Sequence, residues 1–345
     1  MKDSCCEINA TRQWYQDKLF RVSIFLLACV FIAFFFPKTQ SLTTNFIFYL
    51  YNFWVPALLG LLIGGLVAYL LPHHYIEYFL ARKEKKTLFY AVGLGFLFSA
   101  CSHGILAIAI QMYKKGASTA SVITMLLASP WANLPMTILL FGFFGLNTLW
   151  LLGGAICTAL ITGWIFQILE HRELVEGAVP NSEAGFESHR EIWVDIKERW
   201  QGYSLSLSQL GEDLRGIIKE SLLLARMIIW WLVIGIVVAA TVRSFLPHEW
   251  FWQYLGATPM GMGVTLLFAT VLEVCSEGTA PLAFELYHQT HAFGNVFLFL
   301  LAGVVTDYTE IGLLWGNVGW RTAVALPLIS VPQVILWGIF LNWMS

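Results

Sequence analysis

The sequence predicts an all-α polytopic membrane protein, on three observations. Of its 345 residues, 58% are hydrophobic and 12% charged, whereas a soluble domain is about 45–50% apolar and about 25% charged. Mean hydropathy is +0.68. Apolar runs of the length an α-helix needs to cross a bilayer core about 30 Å thick recur along the chain. They lie at 19–36, 46–71, 88–111, 119–145, 148–169, 217–242, 262–287, 293–319 and 321–343. Finally, the two halves of the chain resemble each other.

The first run follows a polar tail and closes on Phe34, Phe35, Phe36 and Pro37 without a small-residue cleavage site. It reads as a retained anchor, so 1–45 is a tail plus the first transmembrane helix. The next four runs form a unit at 46–169. Glu170 to Gly216 is polar, with ten acidic and five Lys/Arg residues and the turn formers Pro180, Asn181 and Gly185. Ile192 to Trp200 within it has the pattern of a short surface helix, but composition favours a solvated linker. The last four runs form a second unit at 217–345.

Sliding the chain against itself by 174 residues aligns 98–145 with 272–319 without a gap, giving thirteen identities. Cys101-Ser102-His103-Gly104 falls on Cys275-Ser276-Glu277-Gly278, Leu126-Leu127-Ala128 on Leu300-Leu301-Ala302, and Asn133 on Asp307. Duplicated membrane units of this size mark transporters, whose substrate site lies near the midplane where the repeats meet. Charge sets their relative orientation. If 88–113 and 262–287 are re-entrant hairpins with Cys-Ser-x-Gly tips, seventeen Lys/Arg residues fall on the cytoplasmic side, against Lys38 and Arg243 outside. If both cross, the bias disappears, so the positive-inside rule prefers hairpins. Each half then has three spans, an odd number, and the halves are inverted. The expected fold is two inverted repeats, about seven transmembrane helices and two re-entrant hairpins, with a cytoplasmic N-terminus and an external C-terminus in the inner membrane.

Non-helical backbone at membrane depth survives only in protein or beside a cavity. Four segments look broken: the tips 99–104 and 273–278, the stretch Ser129 to Pro135, and Gly303 to Glu310. Related in pairs by the repeat, they outline one site. Substrate-binding candidates are Cys101, Ser102, His103, Asn133, Cys275, Ser276, Glu277 and Thr306. Glu273, Glu277, Asp307 and Glu310 sit inside apolar runs, where an acidic group costs at least about 2.5–3.5 kcal/mol. They are proton-coupling candidates, or else structural caps of half-helices. Glu285 lies nearer the end of its run and is expected to be solvated. Cys101 and Cys275 alone among the cysteines are related by the duplication. They suit a thiophilic species, or else serve as small packing residues.

A net charge of −2 gives no electrostatic basis for binding nucleic acid. P-loop and dinucleotide fingerprints are absent, as is a hydrolase nucleophile elbow, so neither enzymatic activity nor a cofactor is expected. His288-x-x-His291 has metal-ligand spacing but reads as an interfacial pair, and no metal site is assigned. The expected partners are the lipid bilayer and a small-molecule or metalloid substrate.

The Cys101-Ser102-His103-Gly104 tip, followed by Lys114-Lys115-Gly116-Ala117-Ser118 and Leu126-Leu127-Ala128-Ser129-Pro130-Trp131-Ala132-Asn133, resembles the predicted permease family of bacteria and archaea that includes the ArsP-type organoarsenical efflux permeases. Cys275-Ser276-Glu277-Gly278-Thr279-Ala280-Pro281 and Leu301-Ala302-Gly303 resemble it too. The resemblance implies an inner-membrane permease exporting trivalent organoarsenicals. Many members carry a second cysteine where His103 stands. A soft metal-ion exporter and a passive channel are the alternative readings.

Overall fold

The computed structural model describes residues 18–35, 40–70, 87–97, 102–114, 116–177, 207–272 and 276–344. No strand occurs among them, in keeping with a chain whose backbone groups must be satisfied within each segment. The helices are α1 (Lys18–Ala33), α2 (Gln40–Leu70), α3 (Thr87–Leu97), α4 (Ser102–Lys114), α5 (Thr119–Ala132), α6 (Leu134–Phe144) and α7 (Thr148–His171). After the linker come α8 (Leu207–Phe245), α9 (His248–Leu255), α10 (Pro259–Val271), α11 (Ser276–Thr290), α12 (Phe293–Val305), α13 (Tyr308–Asn317) and α14 (Trp320–Met344).

Five described segments are long and apolar enough to cross a membrane: Gln40–Tyr69, Leu134–His171, Ile228–Phe245, Phe293–Asn317 and Trp320–Met344. A sixth is added if α9 and α10, bent by 100°, count as one. The polytopic expectation holds at this level. Two features separate the count from the seven spans read from sequence. The apolar part of α1 is only Phe20–Ile32, about 20 Å of helix at 1.5 Å per residue. Run 119–145 is divided at Asn133 into α5 and α6.

Leu134–His171 spans 38 residues, nearly twice what one crossing needs. It turns at Gly145–Asn147, where Gly145 takes φ +55. Because α7 lies extensively along α5, the chain doubles back there. Polar residues 207–216, read from sequence as linker, are the helical start of α8, and Tyr69 Oη donates to Asp213 Oδ1 at 2.7 Å.

The most extensive helix contact is between α2 and α8, and α6 and α11 lie against this pair. An aromatic cluster ties three of these elements together: Phe53 meets Phe143 at 3.9 Å between centroids, and Phe284 meets Phe53 at 5.9 Å and Phe143 at 5.6 Å. Outward faces carry Phe25, Tyr51, Trp54, Leu58, Trp164, Leu328 and Trp343, all exposed, as befits surfaces facing lipid tails. Without a hydrophobic drive between helices in lipid, close backbone approach matters. At Gly235 of α8 an added Cβ would lie 2.3 Å from the Gly278 carbonyl oxygen of α11. Only glycine lets these helices meet so closely.

The chain after α7 pins the last helix. Glu176 accepts hydrogen bonds from the backbone N–H groups of Arg321 at 3.1 Å and Thr322 at 2.9 Å, and from Thr322 Oγ1 at 2.8 Å. It thereby caps the first turn of α14, where a carboxylate is favoured by the helix dipole. Partial burial raises its pKa, but hydrogen bonds from Thr322 and Arg321 outweigh that and hold it below the usual carboxylate value. The stabilisation is therefore fully present above the unfolded value of about 4.3 and fades as pH falls through the lower folded value. Melting curves of the purified protein should show Glu176→Gln destabilised by about 1 kcal/mol at neutral pH, with the gap to the parent closing below about pH 4.

Candidate functional site

Two backbone breaks and the start of α11 define the site. At the first break Asn133 is extended (φ −81, ψ 151) between α5 and α6. Its Oδ1 accepts from Met136 N at 2.8 Å, while its Nδ2 donates to the carbonyls of Ser129 at 3.2 Å and Pro130 at 3.4 Å. One buried amide thus serves donors opening α6 and carbonyls closing α5, which is why Asn suits this position. Pro130 and Pro135 bring no N–H of their own to satisfy.

At the second break Asp307 (φ −58, ψ 110) caps α13, its Oδ1 accepting from Glu310 N at 2.9 Å. Thr306 Oγ1 donates to Ala302 O at 2.7 Å and lies 3.0 Å from Thr270 Oγ1 of α10. Asp307 and Glu310 are both buried. The matching polar contact in the first half is Ser129 Oγ donating to Gly95 O of α3 at 3.3 Å.

Ser276 and Glu277 open α11 and are buried. Ser276 Oγ donates to Glu277 Oε2 at 3.1 Å, and Thr279 Oγ1 donates to Ser276 O at 3.0 Å. Glu277 lines a cavity of about 20 Å³ with Ala57 and Leu61 of α2, Pro135, Met136 and Leu139 of α6, and Ile228 and Leu232 of α8. That volume holds about one water molecule. A second-half carboxylate therefore sits two to three residues from the first-half break. Further along, Phe144 of α6 meets Phe284 and Tyr287 of α11. Hence α6 and α11 run parallel, with their N-termini at one level.

On the other side α13 contacts α4, and Lys114 Nζ donates to Asn317 Oδ1 at 3.0 Å, joining the C-terminal ends of these two helices. The cavity lining includes neither Thr306 nor Asp307. Glu277 thus lies with the Asn133 break, Thr306 with α10, and Asp307 at the start of α13. Cys101, Cys275 and Glu273 lie outside the described residues; Ser102 and His103 open α4, and their side chains are outside too. Among the described residues, no three His, Cys, Asp or Glu side chains gather to hold a metal ion.

Glu285 corrects the expectation of a solvated residue, because it is 1% exposed. Tyr49 Oη donates to its Oε2 and Gln289 Nε2 to its Oε1. Arg243 Nη1 stands 3.7 Å from Oε2, with its guanidinium 4.6 Å above the Phe48 ring. A sequence signal existed: Glu285 lies eight residues after Glu277, on the same helical face.

These features define a helical membrane protein with broken helices in its interior. The chain belongs to the ArsP_1 predicted permease family, whose pattern matches residues 38–343. It is similar to a protein of Mycobacterium tuberculosis named for permease function, with 26% identity over 235 residues, 64% of this chain and 56% of that relative's length. It also resembles a Streptococcus mutans protein named as a subunit of a two-component membrane permease complex, with 21% identity over 283 residues, 81% of this chain and 87% of that one. No solved structure shows significant similarity to it.

Replacing Asn133 by Leu should destabilise the protein by about 1–3 kcal/mol, because both helix ends lose partners in a dry interior. Asn133→Asp, which keeps the acceptor for Met136 N, should recover part of that loss. Thermal melting of the two variants in one lipid environment checks the order.

Proposed function

We propose that this chain is a secondary efflux permease for a small thiophilic solute of the trivalent organoarsenical class, coupled to proton uptake and carrying out no chemical conversion. It works as two inverted repeats in the inner membrane, 46–169 and 217–345, with the N-terminus cytoplasmic and the C-terminus external. The chain crosses seven times and re-enters at two hairpins. Their tips bring Cys101, Ser102, His103, Cys275, Ser276 and Glu277 to the substrate, while Asn133 and Thr306 face it from the breaks. Asp307 and Glu277 carry the coupling proton, assisted by Glu273 and Glu310.

The carrying observation is Glu277, a buried carboxylate in a water-sized cavity against the break of the other half. Such a group is costly in lipid and is generally functional. Correspondences at the 174-residue offset support the repeat. Asn133 and Asp307 both cap a helix by accepting from the third residue on, Met136 and Glu310. Gly145 and Gly319 both take positive φ, +55 and +152. Gly95 approaches Ser129, and Gly303 approaches Ala269. The family resemblance and the paired thiols support the substrate class.

The soft-metal reading rests on His103 beside Cys101, and the passive-channel reading needs no coupling group. In everted vesicles the parent should accumulate methylarsenite against its gradient, whereas Asp307→Asn should lose at least about tenfold of that uptake, about 1.4 kcal/mol of coupling. Unchanged uphill transport and pH dependence in Asp307→Asn removes Asp307 from the mechanism. Equilibration without accumulation by the parent favours the channel, and growth protection on copper or zinc alone favours the metal exporter.

A further inference from the structure

A groove of about 540 Å³ opens between α7 and α14, lined by Asn147, Trp150, Gly153, Gly154 and Cys157 on one side and Trp337 on the other. Both walls belong to segments long and apolar enough to cross a membrane, Leu134–His171 and Trp320–Met344. Leu146, Leu149 and Trp150 at its rim are exposed, as lipid-facing residues are. Two adjacent glycines shape its floor in different ways. At Gly154 an added Cβ would lie 2.5 Å from the Phe297 ring of α12, so protein already fills that place. At Gly153, which is exposed, an added Cβ would meet no described atom within 4 Å. The space a side chain would take there is left open to the membrane.

The groove has the length of one leaflet. α7 runs 24 residues from the turn at Gly145–Asn147 to His171, about 36 Å, so its start stands near one face of the hydrocarbon core. From Asn147 to Cys157 the helix rises about 15 Å, half of a core about 30 Å thick. Asn147, at the boundary end, carries an amide that can donate to an ester carbonyl. Exposed Trp150 lies one turn further in, and exposed Trp343 ends α14 at the same boundary, a residue type that favours headgroup level. The two helices touch on either side of the groove. Trp150 meets Phe340 at 6.3 Å between ring centroids, and Gln333 Nε2 donates to Thr162 Oγ1 at 3.0 Å, deeper than Cys157. A helix of a second copy, about 10 Å across, would have to break those contacts to reach Gly153. A hydrocarbon chain, about 4 Å wide by van der Waals contact, would not.

We propose that the groove is a phospholipid site, in which one acyl chain lies over Gly153 against Trp337, its methyl end at Cys157 and its ester end level with Asn147. α7 precedes the polar linker, whereas α12 and α14 follow it. The bound chain therefore packs along a seam between the two parts of the protein and adds contacts to both. A lipid held by the folded state alone also stabilises that state. The site goes beyond the permease reading and does not depend on it.

The full chain in detergent micelles, titrated with a phosphatidylcholine carrying a diazirine near its chain end, tests the site without any transport substrate. Photolabelling should saturate, map to the peptides around Cys157 and Trp337, and be displaced by unlabelled phosphatidylcholine. Gly153→Phe, whose ring fills the open space, should lower that labelling at least about tenfold. Leu267→Phe, on an exposed face of α10, should leave it at the parental level. Labelling that never saturates and spreads evenly over the exposed faces overturns the proposal, as does parental labelling in Gly153→Phe. Should Gly153→Phe fail to fold, alkylation of Cys157 by N-ethylmaleimide, read from the mass of its peptide, decides: saturating phosphatidylcholine should slow it severalfold, and an unchanged rate overturns the site. A parent dimer that Gly153→Phe turns into monomer, with lipid labelling unaltered, assigns the groove to a second copy. Displacement of the probe by a free fatty acid and not by phosphatidylcholine overturns the phospholipid assignment.

Discussion

A helix broken inside an apolar bundle leaves amide hydrogens and carbonyls that no water can satisfy, and this chain answers with one short polar side chain at each break. Asn133 serves both helix ends that meet at it, and Asp307 caps the helix that follows it. The rest of the architecture depends on those two positions. Without them α5–α6 and α12–α13 would each either run on as ordinary helix or expose backbone to lipid, which costs several kcal/mol per unsatisfied group.

The first break also supplies a floor for the second half. Because α6 starts again at Asn133, its first turn stands level with the first turn of α11, and the parallel pair is fixed by rings from Phe53 to Phe284 and by the glycine contact between α8 and α11. Glu277 is thereby held against Pro135 and Met136 rather than against lipid. The space beside that carboxylate holds about one water.

Much of this was legible in the sequence because it follows from local rules. Apolar runs gave the helices, and Pro130, Asn133, Pro135 and Asp307 marked the breaks, since Pro and short polar residues interrupt and cap helices wherever they occur. Glu277 stood out as an acid in an apolar run. What stayed hidden depended on partners far away in the chain. Glu285 looked solvated because it lies near the end of its run, yet Tyr49, 236 residues earlier, and Arg243 enclose it. The grouping of Glu277 with Asn133, and of Thr306 with Thr270, likewise depends on which helices pack together, which periodicity does not reveal. The helical start of α8 was masked by its charged residues, which read as linker.

The central claim is that the opening turn of α11 lies beside the first-half break within the dry interior. The most direct measurement is thiol cross-linking of Met136→Cys with Glu277→Cys in a chain whose six native cysteines have been replaced. The account predicts rapid linkage by a short membrane-permeant bifunctional reagent, with neither thiol labelled by an impermeant maleimide from either side. Failure to link, with Cys at 277 freely labelled from the aqueous phase, would contradict it.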